Sequence, residues 1–129
     1  MIRIAVCDED KNIVFSAKKI AEGTLAQCGE AGIVKEYTDS GILVSDVQDG
    51  ERFDIAILDI EMPLFDGKAT AAEIKKMCPE CHVIFLTAYD KYAVEAFELQ
   101  IFRYALKDTY KEKLPKYIKD AIAELEELL

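Results

Sequence analysis

The chain is expected to fold as an α/β protein, a doubly wound parallel sheet of five strands with helices on both faces. Two observations predict this. Five short apolar runs alternate with five stretches of helical spacing along 129 residues. Two of those runs also end in carboxylates just where the chain turns: Ile55-Ala56-Ile57-Leu58 delivers Asp59, and Ile2-Arg3-Ile4-Ala5-Val6-Cys7 delivers Asp8-Glu9-Asp10. Strands are predicted at 2–7, 33–37, 54–59, 82–87 and 101–106.

Each helix has its own signal. Ile13, Ala17, Ile20, Ala21 and Leu25 form one apolar stripe with charges opposite. Asp39 or Ser40 is placed to cap a short second helix through Val47. A third runs from Lys68 to Met77 and stops before Pro79. Asp90 is expected to cap a fourth through Leu99. The last opens on a capping box, Thr109-Tyr110-Lys111-Glu112, and carries Leu114, Ile118, Ala121, Ile122 and Leu125 on one face; Pro115 falls in its first two turns. Right-handed crossovers and a 2-1-3-4-5 strand order make the first and third strands neighbours. The site then lies beyond their carboxyl ends, and Asp8, Glu9 and Asp59 become neighbours.

Composition narrows the function. About half the residues are apolar, which fits one domain, residues 1–129, with a real core. A net charge of −9 argues against a broad nucleic-acid surface and against anionic membranes. No apolar stretch approaches the roughly 20 residues that span a bilayer. The N-terminus lacks a signal-peptide pattern, so a cytoplasmic protein is expected. Of four cysteines, Cys78 and Cys81 form a CxxC. It closes a helix instead of opening one, and Cys7 and Cys28 supply no second pair, so reduced thiols are expected over a redox or zinc site.

Converging carboxylates repel unless protons or a cation intervene, and oxygen-only ligands favour a hard ion such as magnesium. Asp59 also opens the string Asp59-Ile60-Glu61-Met62-Pro63-Leu64-Phe65-Asp66-Gly67, in which Met-Pro and Asp-Gly mark a loop. With Asp8-Glu9 after strand one, Asp59 after strand three, Thr87 after strand four and Lys107 after strand five, the whole chain resembles a response-regulator receiver domain of flavodoxin-like fold. The stretch Thr87-Ala88-Tyr89-Asp90-Lys91-Tyr92-Ala93 with Ala96-Phe97-Glu98 is similar to receivers of LytTR-type transcription regulators. Taken singly, Thr87 is an ordinary β-branched strand residue, Lys107 a solvated cation and Tyr104 a half-buried strand tyrosine. His82 reads as a strand start, and Glu124, Glu126 and Glu127 as a solvated helix face.

The resemblance implies roles. Asp59 would be the nucleophile toward a phosphohistidine on a sensor histidine kinase, forming an acyl phosphate. Magnesium would be held by Asp59, by Asp8 and Glu9, and by the backbone carbonyl of Glu61. Lys107 and Thr87 would contact phosphoryl oxygens. Thr87 and Tyr104 would carry the switch to a face made by helix four, strand five and helix five, through which the domain would meet a partner or form a homodimer. The domain would assist its own phosphorylation and dephosphorylation without being an enzyme proper. The likeness to LytTR-type regulators implies that a DNA-binding effector domain follows, and the last helix has no stop signal before Leu129.

Several residues depart from the family pattern. Glu9 replaces the usual Asp, and Asp10 beside it competes for the metal. Asp108 replaces the usual Pro after Lys107, so that bond is expected to be trans, with Lys107 aimed partly by the Thr109 cap. Gln100-Ile101 and Arg103 are unusual on the signalling face. Two other readings remain open: a receiver-like binding module that is never phosphorylated, and a haloacid-dehalogenase-like phosphatase, although that chemistry wants an Asp where Glu61 stands.

Overall fold

The computed structural model describes residues 1–63 and 65–127. Leu64, within the string that Asp59 opens, and Leu128 and Leu129, where the last helix was expected to run on, lie outside the described residues. Strands β1 (Ile2–Cys7), β2 (Gly32–Tyr37), β3 (Ile55–Asp59), β4 (His82–Thr87) and β5 (Arg103–Leu106) form one sheet in the order 2-1-3-4-5, every pair parallel. Between them run α1 (Lys11–Gln27), α2 (Ser40–Gln48), α3 (Gly67–Met77), α4 (Ala93–Glu98) and, last, α5 (Tyr110–Glu127). A 3-10 turn, Asp90–Tyr92, leads into α4.

The period-two alternation of each strand splits the core in two. Ile4, Val6, Ile55, Ile57, Ile84, Leu86 and Ala105 face α1 and α5. Ala5, Cys7, Ala56, Leu58, Val83 and Phe85 face the α2 and α3 side, where Ala96 of α4 also packs. Burial on both faces is why β3, β4 and most of β1 read as apolar runs, while the edge strands β2 and β5 are only partly buried. Each fully buried Ile or Leu contributes about 1.5–3 kcal/mol of transfer free energy.

Caps explain where the helices begin and end. Asp10, Asp39 and Asp66 are the N-caps of α1, α2 and α3; their carboxylates accept from the N–H groups of Asn12, Gly41 and Ala69. Only the second was expected. At the other ends α1, α2 and α4 close with the same paired bonds: Glu30 N–H to Leu25 O with Gly29 N–H to Ala26 O, Glu51 N–H to Asp46 O with Gly50 N–H to Val47 O, and Ile101 N–H to Ala96 O with Gln100 N–H to Phe97 O. The geometry needs a left-handed residue, supplied by Gly29 (φ 67°), Gly50 (φ 105°) and, without glycine's freedom, Gln100 (φ 57°).

That third cap corrects the expected start of β5 at residue 101. Gln100 and Ile101 close α4, the Phe102 N–H donates to Val83 O of β4, and the strand begins only at Arg103. The expectation that Asp90 caps the fourth helix also fails: Asp90 lies inside the 3-10 turn, and neither Tyr89 nor Tyr92 at the cap positions makes a side-chain cap bond. The capping box is not formed as expected either. The Thr109 N–H goes to Leu106 O, and it is the Thr109 carbonyl that accepts from Glu112 and Lys113. Helix α5 nonetheless continues through Pro115.

Candidate functional site

The site sits at the carboxyl ends of β1, β3, β4 and β5. Asp8 and Asp59 share the parity of Ile4, Val6, Ile55 and Ile57, so both point toward the α1 and α5 side of the sheet. Both are buried, 1% and 6% exposed. Lys107, two residues past Ala105, reaches between them: its Nζ lies 2.8 Å from Asp8 Oδ2 and 3.3 Å from Asp59 Oδ2. The Lys107 N–H donates to Thr87 O at 2.7 Å. Backbone pairing to β4 therefore aims the lysine, which corrects the expectation that the Thr109 cap does so. The Lys107–Asp108 peptide is trans, as expected.

Burial shapes the electrostatics. The Asp59 carboxyl is raised to about 6, by burial first and the neighbouring Asp8 charge second; Lys107 and the Glu61 backbone N–H offset part of this. For Lys107 burial works against the ammonium. The hydrogen bond and charge of Asp8, with Asp59 beside it, outweigh burial and hold the lysine above its ordinary value. One ammonium thus serves two buried carboxylates.

Asp8 is fixed by its own neighbour, since the Asp10 N–H donates to Asp8 Oδ1 at 2.9 Å. Asp8 Oδ2 is in ion-pair range of Lys107 but makes no hydrogen bond of good alignment, leaving a buried carboxylate oxygen under-satisfied. The donors are all oxygen, and magnesium characteristically uses one or two carboxylates and keeps several waters. Asp8, Asp59 and a loop carbonyl fit that ion. Glu9 is exposed, beside an open hollow of about 380 Å³ shared with Glu61, Met62 and Tyr92. Among the described residues no three acidic, histidine or cysteine side chains converge as metal ligands. Asp10 is engaged as the α1 cap, so its competition with Glu9 for the metal loses force.

Thr87 lies on the other side of the sheet, by the parity of Val83 and Phe85, and is fully buried. It follows Leu86, the register partner of Asp59. Its Oγ1 accepts from the Tyr89 N–H at 3.3 Å. Tyr104 is half-buried against the same cluster, and its hydroxyl donates to the Tyr89 carbonyl. Tyr89 therefore touches both expected switch residues. The structure joins Asp8, Asp59 and Lys107 side chain to side chain, and Thr87 to them through the Lys107 backbone.

Two features escaped the sequence reading. Gly67 packs so tightly under the acceptor that an added Cβ would lie 2.4 Å from the Asp59 backbone oxygen and 2.6 Å from Ile60 Cα. The Asp66-Gly67 pair was the available signal, and it was read only as a turn. The carboxylate of Glu61 accepts from the Tyr92 hydroxyl, a contact no local pattern announces. Away from the site, Cys7, Cys28, Cys78 and Cys81 are free thiols; Cys7 and Cys81 are pushed up to about 12, each chiefly by burial. His82 begins β4, with Nε2 3.3 Å from Glu124 on α5, so that glutamate is more than a solvated residue. No helix among the described residues is long and apolar enough to cross a membrane.

A buried acid pair, a bridging lysine and a strand-end threonine thus gather at the carboxyl edge of this sheet. The family model for the response regulator receiver domain matches residues 4–119, and the chain belongs to that family. It is therefore a regulatory domain of two-component signalling and not a classical enzyme. The transcriptional regulatory protein YpdB of Escherichia coli K12 is 33% identical over 98 residues, covering 70% of this chain and 40% of YpdB. The sensory transduction protein LytR of Staphylococcus haemolyticus is 40% identical over 68 residues, 53% of this chain and 27% of LytR, in keeping with the expected likeness to LytTR-type regulators. The chain thus spans less than half the length of these curated relatives. Among solved structures, the BeF3-activated receiver domain of DrrB from Thermotoga maritima superposes with a TM-score of 0.77 at 30% identity, covering 95% of this chain and 98% of that one.

Proposed function

We propose that this domain accepts a phosphoryl group on Asp59 from a sensor histidine kinase and thereby controls an effector, through transcription. The observation that carries the reading is the Asp8–Lys107–Asp59 contact, a buried carboxylate held against one ammonium at the open end of the sheet. Asp59 attacks phosphorus, the bond to the donor histidine breaks, and its electron pair leaves with the imidazole. Lys107 neutralises charge on a phosphoryl oxygen and Thr87 donates its hydroxyl to another. Asp8, Asp59 and the Glu61 carbonyl would hold magnesium, with Glu9 nearby. Bound there, the ion supplies charge neutralisation for the transferring group.

Drawing Thr87 toward the phosphoryl group takes its oxygen from the Tyr89 N–H, and Tyr104, bonded to the Tyr89 carbonyl, follows. The face of α4, β5 and α5 then changes. Val94 and Phe97 stand 70% and 84% exposed on α4, and this face serves a homodimer or partner contact. Residues 1–129 form one cytoplasmic receiver domain, with the DNA-binding effector beyond it. Incubation with acetyl phosphate and magnesium is expected to give a covalent mass increase that Asp59→Asn abolishes; no increase in the wild type overturns the reading. A second reading, a receiver-like module that binds magnesium but is never phosphorylated, is favoured by the exposure of Glu9, and the same experiment decides between them. Family membership leaves the phosphatase reading unsupported; Glu61, where a second catalytic acid would stand, bonds to Tyr92 instead.

A further inference from the structure

Glu61 faces two ways. It stands two residues past Asp59, whose carboxyl its backbone N–H helps to hold down. Its own carboxylate accepts from the Tyr92 hydroxyl, with Lys91 Nζ 3.9 Å away. Tyr92 is the N-cap of α4. One residue thus spans the distance from the acceptor to the start of a helix on the signalling face.

Helix α4 depends on such attachments. Six residues are too few for backbone bonds to sustain a helix in water. It buries one side chain, Ala96, and its cap residue makes no side-chain bond to the helix backbone. Its charged tie runs to α3, where Lys68 Nζ lies 2.8 Å from Glu95 Oε2. Lys68 and Lys91 stand 5.3 and 5.1 Å from the centre of the Tyr92 ring, so cations flank the tyrosine on the α3 side and on the 3-10 turn.

We propose that Tyr92 is a positioning residue that couples the state of Asp59 to α4 through Glu61, beside the Thr87–Tyr104 route. The inference rests on phosphoryl acceptance at Asp59. An acyl phosphate there carries about −1.5 to −2 charge where the free carboxylate carried about −1, and it carries that charge farther out toward the Glu61 carboxylate. Like-charge repulsion displaces Glu61, and the Tyr92 hydroxyl either follows it or loses its acceptor. In both cases the first turn of α4 changes its anchor. By reciprocity, any partner that holds α4 in the changed position favours the modified acceptor by the same factor.

The test uses the full chain with Tyr92→Phe and Glu61→Gln, read by backbone amide NMR before and after addition of magnesium and beryllofluoride. In unliganded Tyr92→Phe, the amides of Ala93–Glu98 are expected to exchange about tenfold faster, the low end for one hydrogen bond to a charged acceptor. The beryllofluoride-induced shifts of those amides are expected to shrink by roughly half or more in both variants, while those of Tyr104 and Lys107 persist. Two results overturn the proposal: α4 exchange and shifts unchanged in both variants, or loss of beryllofluoride binding together with all shifts, which marks damage to the site itself. A wild type whose spectrum ignores beryllofluoride defeats the phospho-acceptor reading instead, before any variant is compared.

Discussion

Replacing Asp59 by Asn should make the metal-free protein more stable at neutral pH, although it removes the residue on which the proposed function depends. The ordinary carboxyl value is 3.8 and the folded value about 6, raised by burial and by Asp8. A tenfold difference in proton affinity is about 1.4 kcal/mol, so ionised Asp59 costs the folded state about 3 kcal/mol. Below 3.8 both folded and unfolded chains are protonated at this residue and the cost vanishes. Between 3.8 and about 6 the unfolded chain ionises while the folded one resists, and stability falls as pH rises. Above about 6 the full cost is present.

Asn is nearly the same size and neutral throughout. The stability gap between Asp59→Asn and wild type should therefore open across roughly pH 4 to 6 and plateau near 1–3 kcal/mol, the lower figure allowing for relaxation around Asp8 and Lys107. Urea unfolding in EDTA at pH 4.5, 5.5, 6.5 and 7.5 measures it, with m-values compared to exclude a change in the denatured state. Magnesium should then raise the stability of the wild type by RT ln(1 + [Mg]/Kd) and leave the variant nearly unmoved. A variant less stable than wild type at pH 7.5, or a gap that ignores pH, would refute the reasoning. Either result would mean that Lys107 fully neutralises Asp59 and that the buried acid carries no strain.

Gln100→Gly should stabilise the protein by about 0.5–1 kcal/mol in the same urea assay, because it relieves a left-handed residue in a cap that Gly29 and Gly50 fill without strain elsewhere in the chain. Gly67→Ala should cost about 3 kcal/mol, since its Cβ has only the backbone of Asp59 and Ile60 to displace; phosphorylation by acetyl phosphate should slow with it, and an alanine variant of wild-type stability would contradict the packing.

The sheet was legible because its central strands are buried on both faces, and unbroken apolar runs between turn signals leave little else to fit. The acceptor was legible for a related reason: strands one and three flank the reversal of strand order, so acids at their ends had to meet. Boundaries were lost where apolar residues served a local bond instead of the core. Ile101 and Phe102 look like strand, but Ile101 is committed to closing α4. Asp10 was overlooked as a cap because it stood beside Asp8 and Glu9, and Asp66 because it was read as half of an Asp-Gly loop signal. The Tyr92–Glu61 contact joins residues 31 apart, and no window of sequence holds both.

The two buried acids also explain why the site is built with one lysine and not two. A second ammonium would satisfy Asp8 Oδ2, now without a well-aligned hydrogen bond, and would draw Asp59 back toward its ordinary value. It would also leave no charge deficit for a divalent cation to fill. An under-neutralised pair remains responsive: a cation or a phosphoryl group changes its energy by several kcal/mol, where a balanced cluster would change little. The instability predicted for ionised Asp59 and the response to a cation are therefore one property of the same three side chains, and Lys107→Ala should exaggerate both, read as a lower stability in EDTA and a larger gain on adding magnesium in urea unfolding.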